Sequence, residues 1–385
     1  ELFITDESSN SKPFYLRIEG TGALTARTYY AKEITVGGTF DGSGDAFGGS
    51  SVFPTLCTIH DRHLVVAGDT GSTNTIYVSA TDDPENFNGT GAFSIKVDDK
   101  IIGIKGFRQD LIIFCKNSLF KLVNINDIGT NGTLAVLPLT KNIGCLDNHS
   151  IQEIGGDLVF LSPDGVRTVA GTTRIGDIEL SAVSRQITNV INKVAENIDD
   201  FVLTSVTLRK KSQYRILYSE ATQLPNFAKG IIGTITRNGF AWSETLGIQA
   251  HAITSGFDSN NIEKTFHGDI NGFVYTHDTG NSFFHNNVEA NIRAVYKTPH
   301  YDFGDFGTMK NMRYVKISFT PEGKVEPRLR IRYDYEDTAI PQPSDYILDT
   351  IPSPALFGTS LFGTTSIFGA SIDPLLRQAV QGSGV

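Results

Sequence analysis

The chain has 385 residues, carries a net charge of −9 at pH 7, and is 39% hydrophobic. This composition argues against a disordered chain, and the acidic balance argues against a protein that coats nucleic acid, which would carry a basic excess. No apolar run approaches the ~20 residues of a membrane-spanning helix, so we predict no membrane span. The 38 Gly, 25 Phe and 13 Tyr favour short strands joined by tight turns.

Short apolar runs recur along the chain. They begin at Leu64, Leu111, Leu158, Ile216 and Thr265. Successive starts are 47, 47, 58 and 49 residues apart, and a turn with a second apolar run follows most of them. Hairpin units that repeat every ~40–50 residues are typical of a β-propeller, in which each blade covers its neighbour. We predict an all-β protein built on a β-propeller of roughly five to six blades. A sandwich or an irregular all-β stack is the alternative.

An inserted helix explains the interval of 58 residues. Residues 181–198 place five apolar side chains on one face, namely Ile187, Val190, Ile191, Val194 and Ile198. Ser181 or Ser184 is a candidate N-terminal cap. Because the polar face is not rich in Lys and Arg, we expect the apolar stripe to pack on the propeller and not on a membrane.

Three regions follow from this pattern. Residues 1–50 form a partial N-terminal β segment with a Gly-rich linker, and residues 51–300 form the propeller with its helix. Residues 301–385 form a C-terminal β domain and a Phe-Gly tail. Further strands are predicted at 14–18, 313–319 and 328–335, where apolar and β-branched residues cluster.

Catalytic and cofactor motifs are not found in the sequence. GxSxG, HExxH, CxxC and the P-loop are absent, so we predict no enzymatic activity, no cofactor and no metal. His60 and His63 could form a metal pair, but turn and surface histidines are commoner. Asp269 opens a segment like the start of a calcium loop, which a plain β-turn explains better. The three cysteines, expected to be buried free thiols, are Cys57, Cys115 and Cys145.

Two groups of residues are candidate contacts with another subunit or a partner. Residues 328–333 alternate Arg with apolar side chains, which predicts a strand with one basic face. That face carries Arg328, Arg330 and Arg332, and it is either a solvated face or a subunit or phosphate contact. The tail contains three Phe-Gly pairs, at Phe357, Phe362 and Phe368. Their rings either dock on a neighbouring subunit or fold back on the core.

Several stretches together resemble one known family. Residues 74–87 resemble its segment of strand, Ser, Asp-Pro and aromatic residue, and residues 156–167 resemble its Gly-Val-Arg hairpin. Residues 180–184, which open the helix, and the Phe-Gly tail with residues 377–385 are similar too. The family is the tail nozzle, or tail tubular protein B, of short-tailed bacteriophages. The likeness spans roughly residues 55 to 385, although family members carry more of a platform domain at the N-terminus.

The resemblance implies a fold, an assembly and a location. The fold would be a propeller with added β domains, and six copies would form a ring at the distal end of the tail. Tail adaptor proteins would sit above the ring, tail fibre proteins would be further partners, and the genomic DNA would pass through without specific binding. The protein would be made in the host cytoplasm and reside in the virion tail. An acidic balance suits such a channel, because phosphate neutralisation dominates affinity for DNA.

Two other functions stay open. The main alternative is a glycan-binding or glycan-cleaving propeller, for which Asp82-Asp83, Asp98-Asp99 and Asp199-Asp200 offer carboxylate pairs. Turn-like contexts around these pairs and the single Trp count against it. A cellular scaffold propeller is the third possibility, but the chain has no Trp-Asp blade endings.

Overall fold

The computed structural model describes residues 53–347 with gaps at 88, 128–132, 171–182, 221–227, 238, 281, 286–287, 291, 306–307, 309–314 and 319–326, and the strands at 2–4, 14–19, 28–33 and 375–378. Strands dominate this part of the chain, which confirms the all-β class. The chain divides into two compact units: residues 1–278 with 284–288, and residues 279–283 with 289–385. The regional boundaries expected near residues 50 and 300 remain predictions.

The first unit contains a three-stranded N-terminal sheet and five further antiparallel sheets, named I to V in chain order. The N-terminal sheet consists of β1 (Leu2–Ile4), β2 (Phe14–Glu19) and β3 (Thr28–Glu33). Sheet I consists of β4 (Leu56–His60), β5 (His63–Ala67), β6 (Thr75–Val78) and β7 (Phe93–Lys96). Sheet II consists of β8 (Ile101–Phe107), β9 (Asp110–Cys115), β10 (Leu119–Val123) and β11 (Ala135–Thr140).

The remaining three sheets follow the same up-and-down order. Sheet III consists of β12 (Gln152–Ile154), β13 (Asp157–Ser162) and β14 (Gly165–Thr168). Sheet IV consists of β15 (Phe201–Leu208), β16 (Gln213–Glu220), β17 (Lys229–Thr236) and β18 (Gly239–Leu246). Sheet V consists of β19 (Ala252–Phe257), β20 (Glu263–Gly268) and β21 (Val274–Thr276). Within each sheet, neighbours in sequence are neighbours in space.

The five apolar runs of the sequence repeat occupy equivalent places. Each run lies in the second strand of its sheet: β5, β9, β13, β16 and β20. In β9, β13 and β16 the buried residues are consecutive instead of alternating. Consecutive burial means that both faces of the strand are covered, which is why these strands appear in the sequence as continuous apolar runs. The repeat therefore reflects one strand position in five successive sheets.

Successive sheets pack face to face. Sheets I and II share one apolar core, to which Val65 and Ile113 belong. Sheets II and III share a second core, in which the rings of Phe114 and Phe160 meet edge to face at 5.3 Å. Sheets III and IV share a third core. Sheet V lies against sheet IV, where the Ser255 hydroxyl donates to the Thr207 carbonyl oxygen at 2.8 Å.

The first strands of several successive sheets lie side by side. Strand β4 neighbours β8, β12 neighbours β15, and β15 neighbours β19. Each of these is an edge strand of its own sheet, so corresponding edges lie together in sheets I and II and in sheets III, IV and V. None of the sheets formed by the described residues closes on itself.

The expected helix is present but shorter than predicted. Helix α1 spans Thr188–Glu196, between single helical turns at Arg185–Ile187 and Ile198–Asp200. The predicted apolar stripe packs into the core of sheets III and IV, which confirms its orientation. Ser184 is not a helix cap: its hydroxyl accepts the Val166 N–H at 2.8 Å. Among the described residues, no helix is long and apolar enough to cross a bilayer.

The rest of the chain forms short two-stranded pairs. The pairs are β22 (Phe283–His285) with β23 (Val288–Ala290), β24 (Val315–Ser318) with β27 (Leu375–Gln378), and β25 (Arg328–Leu329) with β26 (Tyr346–Ile347). The strand predicted for residues 328–335 ends at Leu329, so that prediction is wrong beyond this residue. Its partner β26 is two residues long, and the chain then enters a helical turn at Asp334–Glu336.

Candidate functional site

In the second unit, two of the predicted arginines converge on Asp345. Arg330 donates from Nε to Oδ1 at 2.7 Å and from Nη2 to Oδ2 at 2.6 Å, which is a bidentate pair. Arg332 Nη2 lies 3.8 Å from Oδ1 of the same carboxylate, and its Nη1 donates to the Pro343 carbonyl at 3.1 Å. The hydrogen bonds from Arg330 lower the pKa of Asp345. Both guanidinium groups thus fasten the segment before β26 to the segment after β25.

Arg328 behaves differently from the other two arginines. It lies in β25 opposite Ile347, and its side chain is exposed. Arg330 and Arg332 lie on the same side of the chain, as the alternation of residues predicted. Both, however, come after the last residue of β25. Arg330 and Arg332 therefore contact Asp345, whereas Arg328 lowers the pKa of Asp345 only through its charge. The side chains of Arg328 and Arg330 are both exposed.

A left-handed turn follows the arginines. Asp334, Tyr335 and Glu336 have φ angles of 44°, 56° and 62°, a region that costs an L-residue roughly 1–2 kcal/mol. Hydrogen bonds hold the turn: the Tyr333 N–H donates to Gln342 Oε1 at 2.9 Å, and Gln342 Nε2 donates back to the Tyr333 carbonyl at 3.1 Å. Non-glycine residues in such conformations cluster at functional sites.

Two contacts join this turn to residues 292–303. Lys297 Nζ lies 3.1 Å from Glu336 Oε1, and the hydrogen bond from Lys297 lowers the pKa of Glu336. The rings of His300 and Tyr335 lie 4.9 Å apart between centroids. The ion pair and the ring contact fix the position of the extended segment, which has no strand or helix of its own in this range.

Several large apolar side chains in this part of the second unit face solvent. This set, called here the aromatic surface, consists of Val295, Tyr296, Tyr301, Phe303 and Tyr335. Tyr296 is 92% exposed and Phe303 is 70% exposed. Single exposed apolar residues are ordinary, but a group of exposed apolar side chains is typical of a protein–protein interface. Within this group the rings of Tyr301 and Phe303 lie 6.1 Å apart between centroids. Tyr, Phe and Arg are also the residues enriched in such interfaces.

The other predicted contact group lies outside the described residues. Phe357, Phe362 and Phe368 belong to the part of the chain from 348 to 374, for which the structure gives no placement. Their assignment as candidate subunit contacts stays a prediction.

The carboxylate pairs proposed for glycoside cleavage serve local roles. Arg62 Nε donates to Asp82 Oδ1 at 2.8 Å. Asp99 Oδ2 accepts the Asn117 N–H at 2.7 Å and the Ser118 hydroxyl at 2.9 Å. Burial alone would raise the pKa of Asp99, but these hydrogen bonds outweigh it and lower the pKa. The third pair lies in the single helical turn Ile198–Asp200.

The histidine and calcium-like motifs also have structural explanations. His60 and His63 face each other across the β4–β5 hairpin, but the ring nitrogens of His63 contact the Ser79 carbonyl at 2.6 Å and Asn126 Oδ1 at 2.8 Å. Asp269 Oδ1 accepts the N–H groups of Asn271 and Phe273, both at 2.9 Å, which is a turn arrangement. In the part of the chain that is described, no three His, Cys, Asp or Glu residues are grouped as metal ligands would be.

None of the three cysteines forms a disulfide. Cys115 and Cys145 are buried, as predicted, whereas Cys57 is partly exposed, so the prediction of a buried thiol is wrong for Cys57. Burial raises the pKa of both Cys115 and Cys145 to about 12. These two thiols are therefore protonated at neutral pH and serve as small apolar core residues.

Sequence reasoning did not find the most exposed residue of the aromatic surface or the carboxylate that organises the arginines. Tyr296 lies in a segment without periodicity, and Asp345 is 15 residues from Arg330 along the chain. The sequence signal for Asp345 was that an acidic residue follows Pro341 and Pro343 near a basic segment. This pattern is too general to predict an ion pair with Arg330.

Comparisons with known proteins add little to this geometry. No protein-family model matches the chain, and no curated protein matches it. It is similar to the N-terminal domain of Nup159, with 11% identity over 58% of this chain and 60% of that chain, at a TM-score of 0.36. It is also similar to the designed protein Ika8, with 11% identity over 71% and 70% of the two chains, at a TM-score of 0.35.

A third similar structure is PorZ, a bacterial surface component of the type-IX secretion system of Porphyromonas gingivalis, with 11% identity and a TM-score of 0.33. The match covers 59% of this chain and 26% of PorZ. The chain thus spans less than two thirds of the Nup159 domain and of PorZ. At these TM-scores none of the likenesses bears on function.

Proposed function

We propose that this chain is a structural subunit of a short-tailed bacteriophage particle and not an enzyme. Copies of it would form a ring, six in number, as the distal tail nozzle through which the genomic DNA leaves. The nozzle assignment rests on the sequence resemblance, and the observation that carries the structural role is the aromatic surface. Tail adaptor and tail fibre proteins would be its partners in the virion.

The aromatic surface has the features that favour stable association. Burying exposed Tyr and Phe rings removes apolar area from water, at about 25 cal/mol per Å². The ion pair of Lys297 with Glu336 and the contact of His300 with Tyr335 already order this surface in one copy. Ordering before association lowers the entropy that binding must overcome. In a ring of identical subunits, the partner that covers the aromatic surface is a second copy of this chain.

We propose in addition that sheets I to V are blades of a β-propeller with five to six blades. Three observations support this arrangement: the up-and-down order of each sheet, the packing of successive sheets face to face, and the neighbouring first strands. In a propeller the first strand of each blade lies nearest the central axis, so these edges would surround the axis. Such a scaffold would be rigid where its strands are covered on both faces, as β9, β13 and β16 are.

The test is electron microscopy of particles from the source culture, labelled with an antibody raised against this chain. We expect label at one vertex of each particle, and native mass spectrometry of the purified protein should give a closed ring of copies. Absence of label from both intact and opened particles, with antibody binding to the native protein established, would contradict the tail assignment. A protein that stays monomeric at high concentration would contradict the role of the aromatic surface.

A further inference from the structure

A cleft of about 300 Å³ lies in the first unit, and none of the residues that line it belongs to the aromatic surface. The first strands of sheets III, IV and V supply most of its lining, with Gln152 from β12, Ser205 from β15 and Ser255 from β19. Its volume falls at the lower end of the ~300–1,000 Å³ typical of small-molecule sites. The size therefore suits one small ring and not a large ligand.

Phe257 and Glu263 define one wall of the cleft. They are directly opposite each other in the β19–β20 ladder, so their side chains share one face of sheet V. Phe257 is 46% exposed, which leaves much of its side chain open to a ligand. Glu263 is held in place because its Oε1 accepts the Arg209 N–H at 2.8 Å and its Oε2 accepts the Lys210 N–H at 2.9 Å.

The other polar groups of the cleft keep hydrogen-bonding capacity. Gln152 Nε2 donates to the Ser205 carbonyl at 3.1 Å, and the amide oxygen Oε1 is an acceptor that this bond does not use. The Ser255 hydroxyl donates to Thr207 and retains its acceptor lone pairs. Arg209 lines the cleft, where its backbone N–H donates to Glu263, and its side chain is exposed. The cleft therefore combines an aromatic ring with a carboxylate, an amide, a hydroxyl and a guanidinium.

The charges of the lining select the ligand class. Arg209 and Glu263 carry opposite charges. The Glu263 carboxylate therefore repels an anionic ligand, and the Arg209 guanidinium repels a cationic one. A neutral ligand with many hydroxyl groups can form hydrogen bonds with both side chains. The carboxylate accepts a charge-assisted hydrogen bond from a hydroxyl, and the guanidinium donates one to a hydroxyl. The negative face of an aromatic ring attracts the weakly positive C–H groups of a pyranose. We propose that this cleft binds a neutral hexose unit of a glycan, with Phe257 as the stacking residue.

The experiment uses saturation-transfer difference NMR on the full chain with glucose, galactose and mannose as neutral probes. Galacturonate and a thymidine oligonucleotide serve as charged probes. Three variants are compared with the unsubstituted protein: Phe257→Ala, Phe257→Tyr and Phe266→Ala. Phe266 is the matched control, because it is a partly exposed Phe of sheet V that pairs with Thr254 and so lies on the opposite face.

We expect at least one neutral hexose to bind the unsubstituted protein. Phe257→Ala should weaken binding about tenfold, the equivalent of one aromatic contact, whereas Phe257→Tyr and Phe266→Ala should retain it. Unchanged thermal unfolding of each variant separates loss of stacking from loss of the fold. No hexose binding, binding of the charged probes alone, or equal losses in the Phe257→Ala and Phe266→Ala variants would overturn the proposal. The outcome is independent of the tail assignment.

Discussion

His267 Nδ1 lies 2.7 Å from His277 Nε2, on the side of sheet V that packs against sheet IV. One of these nitrogens must donate and the other accept, so the contact requires at least one neutral ring. Burial, followed by the positive charge of Arg215, lowers the pKa of His277 to about 4. The other charged groups that face it are Asp278, which raises the pKa, and Lys211, which lowers it. The structure thus keeps His277 neutral at physiological pH.

This arrangement predicts a loss of stability in mild acid. Between the unfolded pKa of 6.5 and the folded value of about 4, the unfolded chain binds a proton at His277 that the folded chain does not. The free energy of unfolding should therefore be greatest above pH 6.5 and fall towards pH 4, by roughly 3 kcal/mol from this residue. In the His277→Gln variant, this contribution to the pH dependence of the free energy of unfolding should be absent. Urea unfolding of both proteins at several pH values tests it, and identical pH slopes would contradict it.

Asp278 joins a buried and an exposed cation. Arg215, which is buried, donates from Nη2 to Asp278 Oδ2 at 2.8 Å, and Lys211 Nζ donates to the same oxygen at 2.7 Å. Asp278→Asn leaves the buried guanidinium without its counter-charge and should destabilise the fold by about 2–3 kcal/mol, since the carboxylate itself is partly exposed. Lys211→Met removes only a surface pair and should cost about 0.5 kcal/mol or less. Comparable losses in chemical denaturation would contradict this ranking.

Gly144 predicts a steric effect between sheets II and III. A Cβ at this position would overlap the Lys116 carbonyl oxygen, which belongs to the backbone and cannot turn away. Gly144→Ala should therefore destabilise the protein by about 3 kcal/mol or more. Gly256→Ala is the matched control, because no atom lies within 4 Å of its Cβ position; it should be neutral or stabilising by up to about 1 kcal/mol. Thermal unfolding distinguishes the two, and a stable Gly144→Ala variant would contradict the close approach.

The aromatic surface predicts a defect in assembly without a defect in folding. Tyr296→Ser and Phe303→Ser remove rings that make little contact within one chain, so thermal unfolding should change by about 0.5 kcal/mol or less. Sedimentation equilibrium should show dissociation of the oligomer in both variants. Ile59→Ser is the control, since Ile59 is 60% exposed in sheet I and lies outside the aromatic surface. Dissociation caused equally by Ile59→Ser, or by none of the three, would contradict the assignment.

Strand positions were predictable because local periodicity and turn chemistry act over a few residues. The five apolar runs lie in β5, β9, β13, β16 and β20, and Gly165 and Gly272 have the positive φ angles that their turns require. The helix stripe was also correct, since a period of 3.6 residues fixes which side chains share a face. Ser184 was misassigned because its hydroxyl has a competing partner, the Val166 N–H, which is distant in sequence.

The sequence by itself determined the all-β class, the repeat and the apolar stripe of α1, because each follows from patterns among residues that are close together in the sequence. Tertiary structure alone decided that Arg330 and Arg332 meet Asp345, that Asp334, Tyr335 and Glu336 adopt left-handed backbone angles, and that Phe257 and Glu263 share the wall of a cleft. Each of these depends on contacts between segments far apart in the chain. Long-range packing supplies the energy that holds a strained turn or orients a charged side chain, and residue patterns do not encode that energy locally.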